Sequence, residues 1–254
     1  PFSNDALINL GSSIASILGN ICGQSKRIII SDLDNTLWGG IIGDDGIDGV
    51  HIGPDTPKGE IFSIIQSYLA ELKSTGIILG VNSKNEMSNV EPILNNKKSL
   101  LSLSDFSSIK VNWNRKSENI NKILKELNIG DHSSVFMDDN IVEINEVLSN
   151  IQRCSVISYK KSPIEFLQMI DALGFFETQK LNTEDKQRSH YYEQSKKAEI
   201  NKSKFKDHNE FLKSLKMIAS VDLNKNENIT RLSDLTKKTN QFNLTQVSLS
   251  ENEI

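Results

Sequence analysis

Apolar residues fall into two alternating rhythms along this chain. Leu7, Leu10, Ile14, Ile17 and Leu18 recur at helical spacing and predict an amphipathic helix over 6–18. After the turn-like Gly23-Gln24-Ser25, Arg27-Ile28-Ile29-Ile30-Ser31 is a short β-branched run. Such a run predicts a strand buried on both faces, as a parallel sheet requires. Residues 39–53 carry Gly39, Gly40, Gly43, Gly46, Gly49 and Gly53 and predict an irregular flap or small hairpin. Thr56-Pro57 can cap and start a helix that runs through Phe62, Ile65, Tyr68, Leu69 and Leu72 and stops at Gly76.

The alternation then repeats, with strands expected at 77–81, 109–113, 135–137 and 155–157. Helices are expected at 86–94, 117–127, 142–148 and 163–173. This order implies an α/β fold, a doubly wound parallel sheet with right-handed crossovers and a small glycine-rich flap. Past Gly174 the pattern changes: a long polar helix over 183–206, a helix at 209–215, a strand at 217–223 and a helix at 228–238. These read as a partial C-terminal α/β unit, so the chain divides into 1–26, 27–175 and 176–254. No internal repeat is visible. The opening at Pro1, without methionine, reads as a segment of a longer protein.

Composition narrows the choices. The 254 residues carry a net charge of −4, which gives no reason to expect nucleic acid or an anionic membrane as the main partner. Cys22 and Cys154 are far apart, and His51, His132, His190 and His208 lack zinc-ligand spacing. No disulfide framework is implied, so a reducing cytoplasm is expected. No apolar run approaches the ~20 residues that span a bilayer. A signal peptide is not expected either, because Gly11, Ser12, Ser13 and Ser16 break the first apolar stretch.

Candidate chemistry gathers where strands should end. Asp32-Leu33-Asp34-Asn35-Thr36 follows the first buried strand. In open α/β sheets, ligands bind beyond the carboxyl ends of the strands. Two carboxylates there would repel without a cation between them, and hard oxygen ligands suit Mg²⁺. A carboxylate so placed can also attack phosphorus. Alone, the pentapeptide also fits a solvated loop with an Asx-turn. The second strand, however, ends in Val81-Asn82-Ser83-Lys84-Asn85, Arg115-Lys116 opens a helix where dipole and cation favour phosphate, and the fourth strand ends in Asp138-Asp139-Asn140.

This order resembles the haloacid dehalogenase (HAD) superfamily. The stretches 32–40 (DLDNTLWGG), 42–46, Ser83-Lys84-Asn85, Asn112-Trp113, 116–119, 136–140 and 238–245 are similar to its FkbH-like branch. The resemblance implies an enzyme of polyketide assembly. Such a protein removes phosphate from 1,3-bisphosphoglycerate and loads a glyceryl-type unit onto the phosphopantetheine arm of an acyl carrier protein. By the same resemblance, Asp32 is the nucleophile or phosphate-facing carboxylate and a Mg²⁺ ligand. Asp34 is the general acid/base with its backbone carbonyl on the metal. Ser83 and Lys116 hold the transferring phosphoryl group, and Asp138, supported by Asp139, completes the metal site. Substrate contacts are implied at Trp38, Gly39, Gly40, Asn82, Lys84, Asn85, Asn119 and Asn240.

One position departs from the pattern. Many FkbH-like members have a cysteine before the serine, a thiol able to carry an acyl group, where this chain has Asn82. Cys22 and Cys154 are expected to be structural. Direct transfer to the carrier thiol, or phosphate removal alone, is therefore favoured over an enzyme-bound thioester. Other features stay open. Trp38 and Trp113 either line a substrate mouth or pack at the sheet edge. Lys196, Lys197, Lys202, Lys204 and Lys206 either meet an acidic carrier or form a solvated face. Asn240-Gln241-Phe242-Asn243 either reads substrate hydroxyls or serves a turn. A plain phosphatase of small phosphate esters and a non-catalytic carrier-docking domain are the competing accounts.

Overall fold

The computed structural model describes residues 3–21, 25–176, 228–238 and 249–254, with isolated positions 213, 218 and 221. By backbone contacts the chain divides into two units, Pro1–Glu199 and Ile200–Ile254.

The first unit is built on a five-stranded parallel sheet in the order β3-β2-β1-β4-β5. The strands are β1 (Ile28–Ser31), β2 (Ile78–Ser83), β3 (Ser108–Val111), β4 (Ser134–Met137) and β5 (Ser155–Ile157). Side chains of a strand alternate between faces. Ile28, Ile30, Ile78 and Phe136 accordingly pack with Ile120, Ile123 and Leu124 of α5 (Lys116–Glu126) and with Ile144 and Val147 of α6 (Ile141–Asn150). Ile29, Leu79, Val81, Val135 and Met137 join the opposite cluster. Its partners come from α3 (Pro57–Ser74), α4 (Met87–Leu94) and α7 (Glu165–Leu173). The doubly wound parallel sheet expected from the alternation is the observed fold.

Local signals explain several boundaries. Thr56 caps α3, its Oγ1 accepting from Gly59 N–H at 3.1 Å, and Pro57 is the first helical residue. Gly174, in the left-handed region at φ 56°, ends α7. The helix α1 (Asn4–Ile21) forms, but Leu7, Leu10, Ile14, Ile17 and Leu18 remain 44–55% exposed.

The glycine-rich segment departs from expectation. Its base is hairpin-like: Gly39 N–H donates to His51 O at 3.0 Å and His51 N–H to Gly39 O at 2.7 Å. Its interior is not irregular but forms α2 (Ile42–Gly49), kinked at Gly46 with φ 68°. Asp44 and Asp45 lie in its first turn, where acids suit the helix dipole, and Asp45 Oδ2 accepts from Ile41 N–H at 2.8 Å.

In the second unit, α8 (Ile229–Lys238) matches the helix expected at 228–238. The buried Ser233 hydroxyl donates to Leu249 O at 2.7 Å, and Leu249 N–H donates to Thr236 Oγ1 at 2.9 Å. Ile218 and Val221, the described positions of the strand expected at 217–223, are in neither helix nor strand. The helices expected at 183–206 and 209–215 lie outside the described residues apart from Lys213, which is helical. Cys22, the lysines of 196–206 and the Asn240–Asn243 segment also lie outside them. Among the described residues no helix is long and apolar enough to cross a membrane.

Candidate active site

Parallel register delivers the acids to one level. Ser31 pairs with Met137 across β1 and β4, so Asp32 and Asp138 each stand one residue beyond the paired strands. Asp32 N–H continues the ladder to Met137 O at 2.8 Å. Asp32, Asp34, Ser83, Lys84, Lys116, Asp138, Asp139 and Glu143 line one cavity of about 250 Å³ with Asn35, Ile41 and Asn140.

Asp32, Asp138 and Asp139 each offer an oxygen within 4.8 Å of the others. Asp138 Oδ1 accepts from Asn140 N–H at 2.8 Å, while Oδ2 lies 3.2 Å from Lys116 Nζ and receives no well-aligned hydrogen bond. Burial pushes the Asp138 carboxyl up to about 7; burial and the neighbouring Asp32 charge push Asp139 up to about 6. Three crowded carboxylates, one with an unbonded buried oxygen and none with a histidine or thiolate beside it, fit a hard divalent cation such as Mg²⁺. The carboxylate of Asp34, whose expected metal contact is its backbone carbonyl, lies outside this cluster.

That carboxylate is held elsewhere. Asp34 Oδ1 accepts from Trp38 Nε1 at 2.8 Å and from Ile42 N–H at 3.2 Å, and Oδ2 accepts from Asn85 Nδ2 at 3.1 Å. Burial raises its pKa above the ordinary aspartate value. A fixed carboxyl with a raised pKa suits proton exchange with a reacting oxygen. Asn35 makes the chain reversal possible: it adopts φ 52°, a conformation asparagine tolerates, and its Oδ1 accepts from Gly40 N–H at 2.9 Å. Gly40 itself turns at φ 100°.

Lys116, 2% exposed, projects from the first position of α5 into the acids. Its ammonium donates to Asp32 Oδ1 at 2.5 Å and to Asn82 O at 2.6 Å. Burial works against its charge, but Asp32 and Asp138 more than offset this and raise its pKa. At the α5 N-terminus, where phosphate is expected at Arg115-Lys116, one N–H is already taken. Ser117 N–H and Oγ both donate to the Glu146 carboxylate, at 3.0 and 2.6 Å.

Several implied substrate contacts turn out to be internal. Trp38 is fully buried and reaches Asp34, so its indole offers no surface to a substrate. Asn82 and Asn119 are likewise at 0% exposure; the Asn82 amide and Asn119 Nδ2 are bonded within the protein, while Asn119 Oδ1 has no hydrogen-bond partner among the described residues. Asn85 is buried against Asp34 and Glu86 N–H. Gly39 and Gly40 line a separate cavity of about 460 Å³ with His51, Lys58 and Tyr159. Trp113 does not pack: it is exposed, its indole N–H donating to Glu86. Lys84 does face the acidic cavity, paired with Glu143 Oε1 at 2.6 Å. In the sequence, Glu143 and Glu146 are marked only as acids in the helix that follows Asp138-Asp139-Asn140.

No protein-family model matches this chain, and no curated protein matches it. Solved structures do. The N-terminal part of protein BF1531 from Bacteroides fragilis, which contains a phosphatase domain and was solved with Mg, is 36% identical with a TM-score of 0.66. The match covers 70% of this chain and 47% of that one, so this chain spans about half that structure's length. A HAD-superfamily hydrolase from Geobacter sulfurreducens is 14% identical, covering 58% of this chain and 97% of its own, with a TM-score of 0.35. A 3-deoxy-D-manno-octulosonate 8-phosphate phosphatase from Moraxella catarrhalis is 14% identical, covering 70% and 92%, with a TM-score of 0.33. The fold of this chain is a parallel, Rossmann-like α/β sheet.

Proposed function

We propose that this chain is a Mg²⁺-dependent enzyme of phosphoryl transfer that uses Asp32 as nucleophile and Asp34 as acid/base. The observation that carries the reading is the convergence of Asp32, Asp138 and Asp139 around one point, with Lys116 buried between Asp32 and Asp138. Support comes from the 36% identical relative with its phosphatase domain and bound Mg.

When bound at Asp32, Asp138 and Asp139, Mg²⁺ supplies charge neutralisation at the phosphoryl oxygens. The residues do the rest. An oxygen of Asp32 attacks phosphorus as the bond to the leaving oxygen breaks, and that oxygen takes the proton of Asp34. The product is an aspartyl-phosphate. Water then attacks phosphorus, returning its proton to Asp34 and releasing Asp32 and inorganic phosphate. Lys116 sits where negative charge grows, already desolvated and oriented.

The finer reading follows the FkbH-like motifs: an acyl phosphate of the 1,3-bisphosphoglycerate type as donor, and an acyl carrier protein as acceptor. Among the described residues no thiol lines the cavity, which supports direct transfer to the carrier's pantetheine thiol. That thiol gives up its proton and attacks the acyl carbonyl, the carbon–oxygen bond to phosphate breaks and inorganic phosphate leaves, while Asp32 acts at the phosphate ester of the same donor. Phosphate removal from a small ester uses the same residues. The test is phosphate release from phosphate esters and from 1,3-bisphosphoglycerate, with Mg²⁺ or a chelator, alongside intact-mass analysis of an added carrier protein. Mg²⁺-dependent release that Asp32→Asn abolishes supports the phosphoryl reading. A glyceryl-type mass gain on the carrier supports the finer one, and release unchanged in Asp32→Asn overturns both.

A further inference from the structure

Asn82 holds Lys116 at both ends. Its backbone carbonyl accepts from the lysine ammonium at 2.6 Å, and its side-chain Nδ2 donates to the lysine's own carbonyl at 2.9 Å. Its Oδ1 accepts from Asn119 Nδ2 at 3.1 Å, and that same nitrogen donates to Asn112 Oδ1 at 3.0 Å. Asn112 in turn accepts from Asn114 N–H at 3.0 Å and donates its own N–H to Ser83 O at 3.0 Å. A buried amide ladder therefore ties the end of β2 to the loop before α5 and to the first turn of α5.

The chemistry of position 82 follows from this arrangement. The side chain there must donate on one side and accept on the other, which an amide does. A carboxylate lacks the donor. Lysine has a flexible four-carbon stem and a compact charge, so its position is set by what grips it. We propose that Asn82, backed by Asn119, is a positioning residue that fixes the Lys116 ammonium between Asp32 and Asp138. Its amide touches neither the cavity nor any reacting atom. The functional weight of this placement rests on the proposed role of Lys116 in phosphoryl transfer.

The test reads the lysine directly. In protein labelled with ¹⁵N at lysine side chains, the Lys116 ammonium should give a slowly exchanging signal, assigned by its loss in Lys116→Met. Asn82→Ala should speed its proton exchange by about tenfold or more, or erase the signal, while the melting transition stays cooperative. The kcat for phosphate release should fall by roughly tenfold to a hundredfold in Asn82→Ala, the scale of a small misplacement. The same change in a Lys116→Ala background should have less than about a twofold effect, because the two act as one unit. An unchanged ammonium signal, or equal losses of kcat in both backgrounds, would overturn the proposal. Should Asn82→Ala fail to fold, Asn119→Asp serves: it sets a carboxylate against Asn82 Oδ1, turns the amide round and should give the same ammonium change. A wild type that releases no phosphate from any donor would sink the proposed function, while the ammonium signal would still decide the role of Asn82.

Discussion

The indole N–H of Trp38 donates to Asp34 Oδ1 at 2.8 Å, from a side chain buried completely in the core. The flap adds its own bond, Ile42 N–H to the same oxygen at 3.2 Å. The Asp34 carboxylate, proposed as the acid/base, is thus fixed by the core and by the flap together. Trp38→Phe keeps most of the packing and removes one of the hydrogen bonds that orient the Asp34 carboxyl. The expected result is a roughly tenfold or greater fall in kcat with KM little changed. Steady-state kinetics on one phosphate substrate checks it, and a change confined to KM would show that Trp38 does not act through Asp34.

Metal and pH should be linked through the acid cluster. Folding raises Asp138 from 3.8 to about 7 and Asp139 from 3.8 to about 6, both chiefly by burial. Carboxyls raised in the folded state bind protons more tightly there than in the unfolded chain. Their stabilising contribution is complete below pH ~4 and is lost as pH rises through about 6 to 7. Without metal, these groups should lower the melting temperature across that interval. Mg²⁺ binds the ionised forms, so its stabilisation should grow over the same range. Thermal melts at pH 5 and pH 8, with and without Mg²⁺, test this. An equal Mg²⁺ effect at both pH values would remove Asp138 and Asp139 from the metal site.

Much of this site could be read from the chain because its signals are local. Ile28-Ile29-Ile30 names a two-faced strand, and the acids after β1 and β4 need only parallel register to meet. What could not be read depends on long-range contacts. Glycine density suggested an irregular flap, but Asp45 reaching back to Ile41 stabilises a short helix within it. Trp38, Asn82 and Asn119 carry motif positions, yet only the packed structure shows them buried, with Trp38 bonded to Asp34, Asn82 to Lys116 and Asn119 to Asn82. Glu146 is one acid among many in the sequence. Only the approach of α6 to α5 brings it onto Ser117, where it accepts from the N–H and the hydroxyl.

Cys154 should carry no acyl group. It is buried just before β5, and burial pushes its thiol up from the ordinary value, away from the reactive thiolate. Cys154→Ala should leave phosphate release within about twofold of wild type and cost on the order of 1 kcal/mol of stability, typical of a small buried change. Intact-mass analysis after incubation with an acyl phosphate should show no hydroxylamine-sensitive adduct at this residue. An adduct mapped there would place an acyl-enzyme step in this protein.

The sharpest substitution is at Lys116, because its removal changes two properties in opposite senses. The ammonium now balances Asp32 and Asp138, both buried beside it. Lys116→Met would leave those carboxylates facing each other. Removing one partner of a buried ion pair typically costs about 3–5 kcal/mol. The metal-free variant should therefore melt well below wild type. A divalent cation would then meet a site with one positive charge fewer, so Mg²⁺ should bind more tightly and recover most of the lost stability. Turnover should not recover with it, since the charge placed against the growing phosphate is gone. Lys116→Arg should fare little better. The ammonium is gripped at once by Asp32 and by Asn82 O, and a planar guanidinium cannot take both positions without displacing one. Melting temperature, Mg²⁺ affinity and single-turnover rate, measured on the same two variants, separate these effects. If Lys116→Met melted and turned over like wild type, the pairing of Lys116 with the acids would be incidental.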